Sequence, residues 1–103
     1  MGRLIEIEPA LQPLPATITI RRGDVLRFAA SGGDVQSGSQ AVERVGAFRS
    51  GVLGKNGLVL TPAGGPDVVL FMARQSGTAV VRIVTGDPWG KSASSLLEVR
   101  VED

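Results

Sequence analysis

Apolar residues recur at every second position in short runs separated by glycine and proline, and this pattern constrains the fold more than any other feature. In the last run, Leu97, Val99 and Val101 alternate with charged residues. Successive side chains of a β-strand point to opposite faces, so each run buries one face and leaves the other in water. No run shows helical spacing over ten residues. The chain is therefore predicted to be all-β.

The runs can be placed along the chain from their turn residues. Residues 4–8 precede three prolines and predict an edge strand, whereas the nearly continuous apolar run at 68–73 predicts a central one. Residues 16–30 predict two strands around the turn Arg22-Gly23-Asp24. About seven or eight strands result. Their spacing favours one domain, 1–103, folded as a two-sheet antiparallel sandwich, with an open barrel as the alternative.

Three segments carry more local predictions. In residues 52–60, the pair Asn56-Gly57 predicts a hairpin with a two-residue type I′ turn. Residues 31–39 are polar and rich in glycine, and they predict a surface loop, the longest candidate for binding. Residues 40–48 fit either a strand or a helical turn, and we favour the strand.

The composition excludes several classes of function. The 103 residues include no histidine and no cysteine, which rules out a Cys or His nucleophile, a thiolate or imidazole metal site and a disulfide framework. We therefore expect neither an enzyme nor a cofactor. The net charge is +1, so no strong field favours nucleic acid or an anionic membrane as partner. The arginines alternate with Thr and Glu, as on an ordinary solvated face.

Four aspartates in predicted loops raise the question of a calcium site, because Ca²⁺ prefers hard oxygen ligands. They are Asp24, Asp34, Asp67 and Asp87. No Asp-x-Asp spacing occurs, and aspartate commonly forms turns by bonding its own backbone. No metal site is therefore predicted.

Two loops and the interval between them carry a resemblance. Pro62-Ala63-Gly64-Gly65 and Asp87-Pro88-Trp89-Gly90 are separated by two predicted strands that meet at Gly77-Thr78. Over residues 60–101 the chain resembles the chagasin-like inhibitors of papain-type cysteine proteases. In that family a Gly-x-Gly-Gly loop and an Arg-Pro-Trp loop lie at one end of an immunoglobulin-like sandwich. The resemblance implies the same fold here.

The match weakens toward the N-terminus. The third loop of the family, Asn-Pro-Thr-Thr-Gly, enters the protease cleft. By order along the chain it corresponds to Asp34-Val35-Gln36-Ser37-Gly38, where only the glycine is retained. In addition, Asp87 replaces the arginine of the family, and Pro62 replaces the first glycine of its loop.

The resemblance implies a reversible inhibitor that fills the cleft of a papain-like cysteine protease with three loops at one end of the sandwich. The implied protease-binding residues are Asp34, Val35, Gln36, Ser37, Gly38, Ala63, Gly64, Gly65, Asp87, Pro88 and Trp89. Locally, Trp89 fits an exposed anchor or a plug at a corner of the core equally well. The alternative function is an immunoglobulin-like interaction or structural module that does not inhibit. The target, the oligomeric state and the compartment stay open, since a signal removed earlier would leave the same sequence.

Overall fold

In the computed structural model, which describes residues 1–86 and 92–103, ten β-strands account for most of the chain. The strands are β1 (Leu4–Ile7), β2 (Thr17–Arg21), β3 (Val25–Phe28), β4 (Gly32–Ser37), β5 (Val42–Phe48), β6 (Val52–Leu53), β7 (Val59–Leu60), β8 (Val68–Ala73), β9 (Gly77–Gly86) and β10 (Ser92–Glu102). The all-β prediction is confirmed, and residues 40–48 contain the favoured strand.

Eight of the strands form two sheets of four, in the orders β1-β3-β8-β5 and β2-β10-β9-β4. β1 lies at an edge and β8 in the interior, as their apolar patterns predict. The pairings of β8 and β9 with their neighbours are antiparallel, but the edge pairs β1–β3 and β2–β10 are parallel. The predicted antiparallel sandwich is confirmed, with these two parallel edges as an addition.

The core lies between the two sheets and consists of the inward-facing residues of each strand. Phe28 and Phe71 meet edge to face at its centre, with ring centroids 5.7 Å apart. Around them pack aliphatic side chains from both sheets, which include Ile20, Leu26, Val42, Val69, Val81, Ile83, Leu97 and Val99. With no cysteine to form a disulfide, this apolar contact carries the stability of the fold.

The predicted turn at Arg22-Gly23-Asp24 carries the chain from one sheet to the other. Asp24 is only 2% exposed, and its carboxylate accepts hydrogen bonds from the backbone of Arg21 at 2.8 Å and of Arg3 at 3.0 Å. The Arg3 guanidinium adds an ion pair at 2.6 Å. The hydrogen bond from the Arg3 side chain is the main reason why the pKa of Asp24 lies well below its usual range. The carboxylate therefore ties the N-terminal strand to the turn.

The predicted hairpin is confirmed, but its turn is of a different type. β6 and β7 pair with Val52 opposite Leu60 and Leu53 opposite Val59. The Gly57 amide donates to the Gly54 carbonyl at 3.2 Å, and Gly57 alone in this turn has positive φ, at 77°. A type I′ turn needs positive φ at two residues, so this is a three-residue loop with a G1 bulge.

The predicted surface loop at residues 31–39 is wrong, because Gly32–Ser37 form β4 at the edge of the second sheet. Val35 lies opposite Val81 and packs against the core. A Cβ atom at Gly33 would lie 2.6 Å from the Arg82 carbonyl oxygen, and at Gly38 2.2 Å from that of Thr78. The glycines thus allow β4 to lie close to β9.

We expect Asp24→Asn to lower the free energy of unfolding by about 2 kcal/mol near neutral pH, since it removes the charge that accepts hydrogen bonds from the Arg3 guanidinium and from the Arg3 and Arg21 amides. The pKa of Asp24 is lower in the folded state than in the unfolded state. The stability that the Asp24 carboxylate adds to the folded state is therefore present above about pH 4 and is lost as the pH falls. Urea denaturation at several pH values should show that the difference in free energy of unfolding between parent and variant becomes smaller below pH 4.

Glu98→Gln provides the control, because Glu98 belongs to an exposed ion pair with Arg100 at 2.8 Å. Exposed pairs contribute little to stability. Its urea midpoint should match that of the parent. An Asp24→Asn protein as stable as the parent at neutral pH would contradict the structural role of the carboxylate.

Candidate functional site

The strands end at two opposite ends of the sandwich. At the first, which we call the crossover end, β3 passes into β4 through residues 29–31, the segment 61–67 leads into β8, and β9 and β10 reach Gly86 and Ser92. At the other, the turn end, lie the connections β2–β3, β4–β5 and β8–β9. The two ends carry different chemistry.

The crossover end contains an open cavity of about 510 Å³. Its wall is lined by Pro9, Ala10, Ala29, Ala30, Ser31, Pro66, Asp67, Thr85 and Gly86. A second cavity, of about 440 Å³, shares Ser31, Pro66 and Gly86 and also includes Gly65. Small side chains dominate both walls, so main chain from four connections is accessible there.

Backbone hydrogen bonds fix the segments of this end to one another. The Ala30 amide donates to the Asp67 carbonyl at 3.1 Å, and the Ser31 amide donates to Val84 at 2.9 Å. The Ser31 hydroxyl also donates to the Val84 carbonyl, at 3.1 Å. The β3–β4 connection is thus short and bonded on both sides.

Two of the predicted binding residues, Gly64 and Gly65, lie beside this cavity on the exposed segment after the hairpin, together with Ala63. Gly64 has a positive φ of 127°, and nothing lies within 4 Å of a Cβ placed on either glycine. The Gly64 carbonyl accepts a hydrogen bond from the Arg49 guanidinium at 2.9 Å. Because side chains are absent, a partner could approach this backbone closely.

The predicted wedge, Asp34-Val35-Gln36-Ser37-Gly38, does not lie there. It follows β9 away from the crossover end, with Asp34 opposite Arg82 and Ser37 opposite Val80, and Gly38 contacts Thr78 at the turn end. At about 3.3 Å per residue, Gly38 lies about 25 Å from Gly86 along β9. The expectation that all three predicted loops meet at one end is therefore wrong for this segment.

The polar side chains of β4 form an ordinary solvated edge. Arg82 donates to the Asp34 carboxylate at 2.8 Å, and Gln36 also bonds that carboxylate. The bond from Gln36, followed by that from Arg82, lowers the pKa of Asp34. With its carboxylate already paired, Asp34 offers no free acid for chemistry.

The third predicted loop, with Asp87, Pro88 and Trp89, lies outside the described residues. The flanking residues Gly86 and Ser92 are paired with each other in the β9–β10 register. This pair lies beside the two cavities, since Gly86 lines both of them and Ser92 lines the second.

Asp67 closes the base of the hairpin, a function that the sequence analysis missed. Its carboxylate accepts hydrogen bonds from the Ser50 amide at 3.0 Å and from the Ser50 hydroxyl at 3.1 Å. The Asp67 amide donates to the Phe48 carbonyl at 2.9 Å. The two chain segments that lead into and out of the hairpin are thereby held together. A serine and an aspartate flanking an apolar hairpin are the sequence signal for this contact.

The exposure of the predicted hairpin, which we call the apolar arm (residues 52–60), is the second feature that was missed. Its five large apolar side chains are between 57% and 76% exposed. They are Val52, Leu53, Leu58, Val59 and Leu60. These residues occupy consecutive rather than alternate positions, and the arm pairs with no strand of either sheet.

Neither a metal site nor a membrane-spanning helix is found in the part of the chain that the structure describes. No group of three or more carboxylates there could hold a metal ion, since Asp24, Asp34 and Asp67 each bond separate partners. No helix in residues 1–86 or 92–103 has the length and hydropathy to cross a membrane.

Comparison with solved structures identifies two similar folds. The crystal structure of the cysteine protease inhibitor EhICP2 from Entamoeba histolytica aligns over 98% of this chain and 97% of its own, with a TM-score of 0.58 and 14% sequence identity. The solution structure of amebosin aligns over 97% and 98%, with a TM-score of 0.51 and 18% identity. No protein-family model and no curated protein sequence matches the chain.

The chain therefore has the sandwich fold of a known cysteine protease inhibitor over nearly its whole length. The resemblance found in residues 60–101 extends, at the level of the fold, to the N-terminal strands. It does so although the predicted wedge is displaced from the crossover end.

We expect Asp67→Ala to loosen the base of the apolar arm. The variant loses two hydrogen bonds to Ser50, together worth about 1 kcal/mol, which should raise the rate of limited Lys-C cleavage after Lys55 about fivefold. Asp34→Ala, which removes a carboxylate paired with Arg82, should leave that rate unchanged. Equal cleavage rates for the parent and Asp67→Ala would show that the contact does not hold the arm.

Proposed function

We propose that the protein is a reversible inhibitor of papain-type cysteine proteases that binds them through the crossover end of the sandwich. The observation that carries this proposal is the alignment of almost the entire chain with a cysteine protease inhibitor. The exposed glycine backbone at Gly64 and Gly65 supports the choice of end. The matched inhibitor is not an enzyme, in agreement with the prediction that this chain is not one.

The interface would consist of Ala63, Gly64 and Gly65 together with Asp87, Pro88 and Trp89. Residues 29–31, the connection between β3 and β4, line the cavity at the crossover end and would contribute contacts there. The short β3–β4 connection, hydrogen-bonded at Ala30 and Ser31, loses little conformational freedom on docking. Binding would thus depend on shape and rigidity, and no bond of the inhibitor would need to be cleaved.

A second candidate function is an immunoglobulin-like module that binds a protein other than a protease. The position of Asp34–Gly38 favours it, because the segment that should enter a protease cleft lies along β9 instead. Both functions use a protein partner, and both are consistent with the weak net charge. They differ in whether a protease is inhibited.

Titration of the purified protein into papain and into a cathepsin-L-like protease tests the proposal. We expect inhibition in the nanomolar range, and Gly65→Val should weaken it at least about tenfold by holding the two backbones apart. A Cβ at this position has no atom of the free protein within 4 Å, so stability should change little. Ser39→Val, at the turn end, is the matched control. The absence of inhibition at micromolar concentration would favour the second function.

Trp89→Ala tests the other loop. Loss of an aromatic anchor at the centre of an interface typically costs about 2 kcal/mol or more, so we expect the inhibition constant to rise at least tenfold. Thermal unfolding distinguishes an interface anchor from the alternative interpretation, in which Trp89 fills a corner of the core. A plug variant would unfold at a markedly lower temperature, whereas an anchor variant would keep the melting temperature of the parent.

A further inference from the structure

We propose that the apolar arm is the element that enters the cleft of the partner, in place of the expected wedge at Asp34–Gly38. The inference rests on the proposed inhibitor function, and it assigns a binding surface outside the glycine and Pro-Trp loops. The partner surface that fits the arm is a narrow apolar cleft with acidic residues at its rim.

Both faces of the arm are apolar, which is the first step of the argument. Residues opposite each other on paired strands share a face, so Leu53 and Val59 lie on one face and Val52 and Leu60 on the other. Leu53 is 76% exposed and Leu60 57%. A flat partner would cover only one of these faces. A cleft with two walls covers both.

The exposure of the arm is unusual for a monomeric domain. A two-stranded hairpin without a packing surface is marginally stable in water, and five large apolar side chains in one short hairpin form a contiguous patch of the kind that marks an interaction site. Burial of these side chains against a partner would stabilise both the hairpin and the complex.

The charges near the arm indicate which charge the rim of the partner's cleft should carry. The arm itself, residues 52–60, carries Lys55 and no acidic residue, and at its base the Asp67 carboxylate is bonded to Ser50 while Arg49 adds a second cation. Lys55 lies in the turn at the tip of the arm, and Arg49 at its base. Two copies of the arm would bring like charges together, which argues against self-association. Acidic residues at the rim of a cleft would complement both cations.

The base of the arm connects it with the proposed interface. Arg49 donates to Gly64, and Ser50 bonds Asp67, whose carbonyl accepts a bond from the β3–β4 connection at Ala30. The arm and the exposed glycines thus share one rigid base, and a partner bound at the crossover end lies within reach of both. A membrane would match the apolar faces but gives no reason for this shared base.

Two double variants test the arm, one for each face: Leu53→Ser with Val59→Ser, and Val52→Ser with Leu60→Ser. Each should raise the inhibition constant at least tenfold toward whichever of papain and the cathepsin-L-like protease the parent inhibits more strongly. Lys55→Glu should raise it about threefold toward a rim of acidic residues. Leu96→Ser, which replaces an exposed leucine of β10 (64% exposed), is the control and should match the parent.

The arm lies outside the core, so circular dichroism and thermal unfolding of all these variants should match the parent. Arm variants that inhibit as well as the parent, while Gly65→Val is weakened, would overturn this inference and leave the proposed function standing. A parent that neither inhibits nor binds either protease would overturn both. Sedimentation as a dimer, or binding to phosphatidylglycerol vesicles, that only the arm variants lose would instead assign the arm to a second copy or to a membrane.

Discussion

The contact between the two sheets is the interaction on which every other part of the structure depends. Phe28 and Phe71 meet at its centre, and aliphatic side chains from both sheets surround them. No disulfide contributes to the stability of the fold, since the chain has no cysteine. Connections at the two ends can therefore vary in length and composition as long as the inward-facing positions stay apolar.

The two ends use their residues differently. At the turn end, the Asp24 carboxylate is buried and bonded to Arg3 and Arg21, so its polar groups serve the fold. At the crossover end, Asp67 and Ser50 bond at the base of a hairpin whose apolar side chains face water. Polar groups hold the chain at both ends, and the crossover end combines accessible backbone at Gly65 with the exposed apolar side chains of the arm.

Two wrong predictions concern glycine-containing segments. Glycine-rich segments were interpreted through the conformational freedom of glycine, which favours loops. Gly33 instead occurs where β4 lies close to β9 and a Cβ would collide with a carbonyl oxygen, while Gly38, just after β4, has both such a collision and a positive φ of 76°. In the hairpin, Gly57 alone takes a positive φ, and Asn56 does not. For β4, the sequence does not reveal that close packing requires Gly33, because β9, the strand against which it packs, lies far away in the sequence.

The alternation of apolar residues determined the strands and the sandwich, because a pleated strand with one buried face needs that period wherever it packs. The spacing of the Gly-Gly and Pro-Trp segments predicted a resemblance that the fold comparison supports. Only the tertiary structure decided which connections share an end, that residues 34–38 run away from Gly64, and that the arm projects from both sheets. These outcomes depend on strand direction and on pairing between distant segments, and local sequence encodes neither.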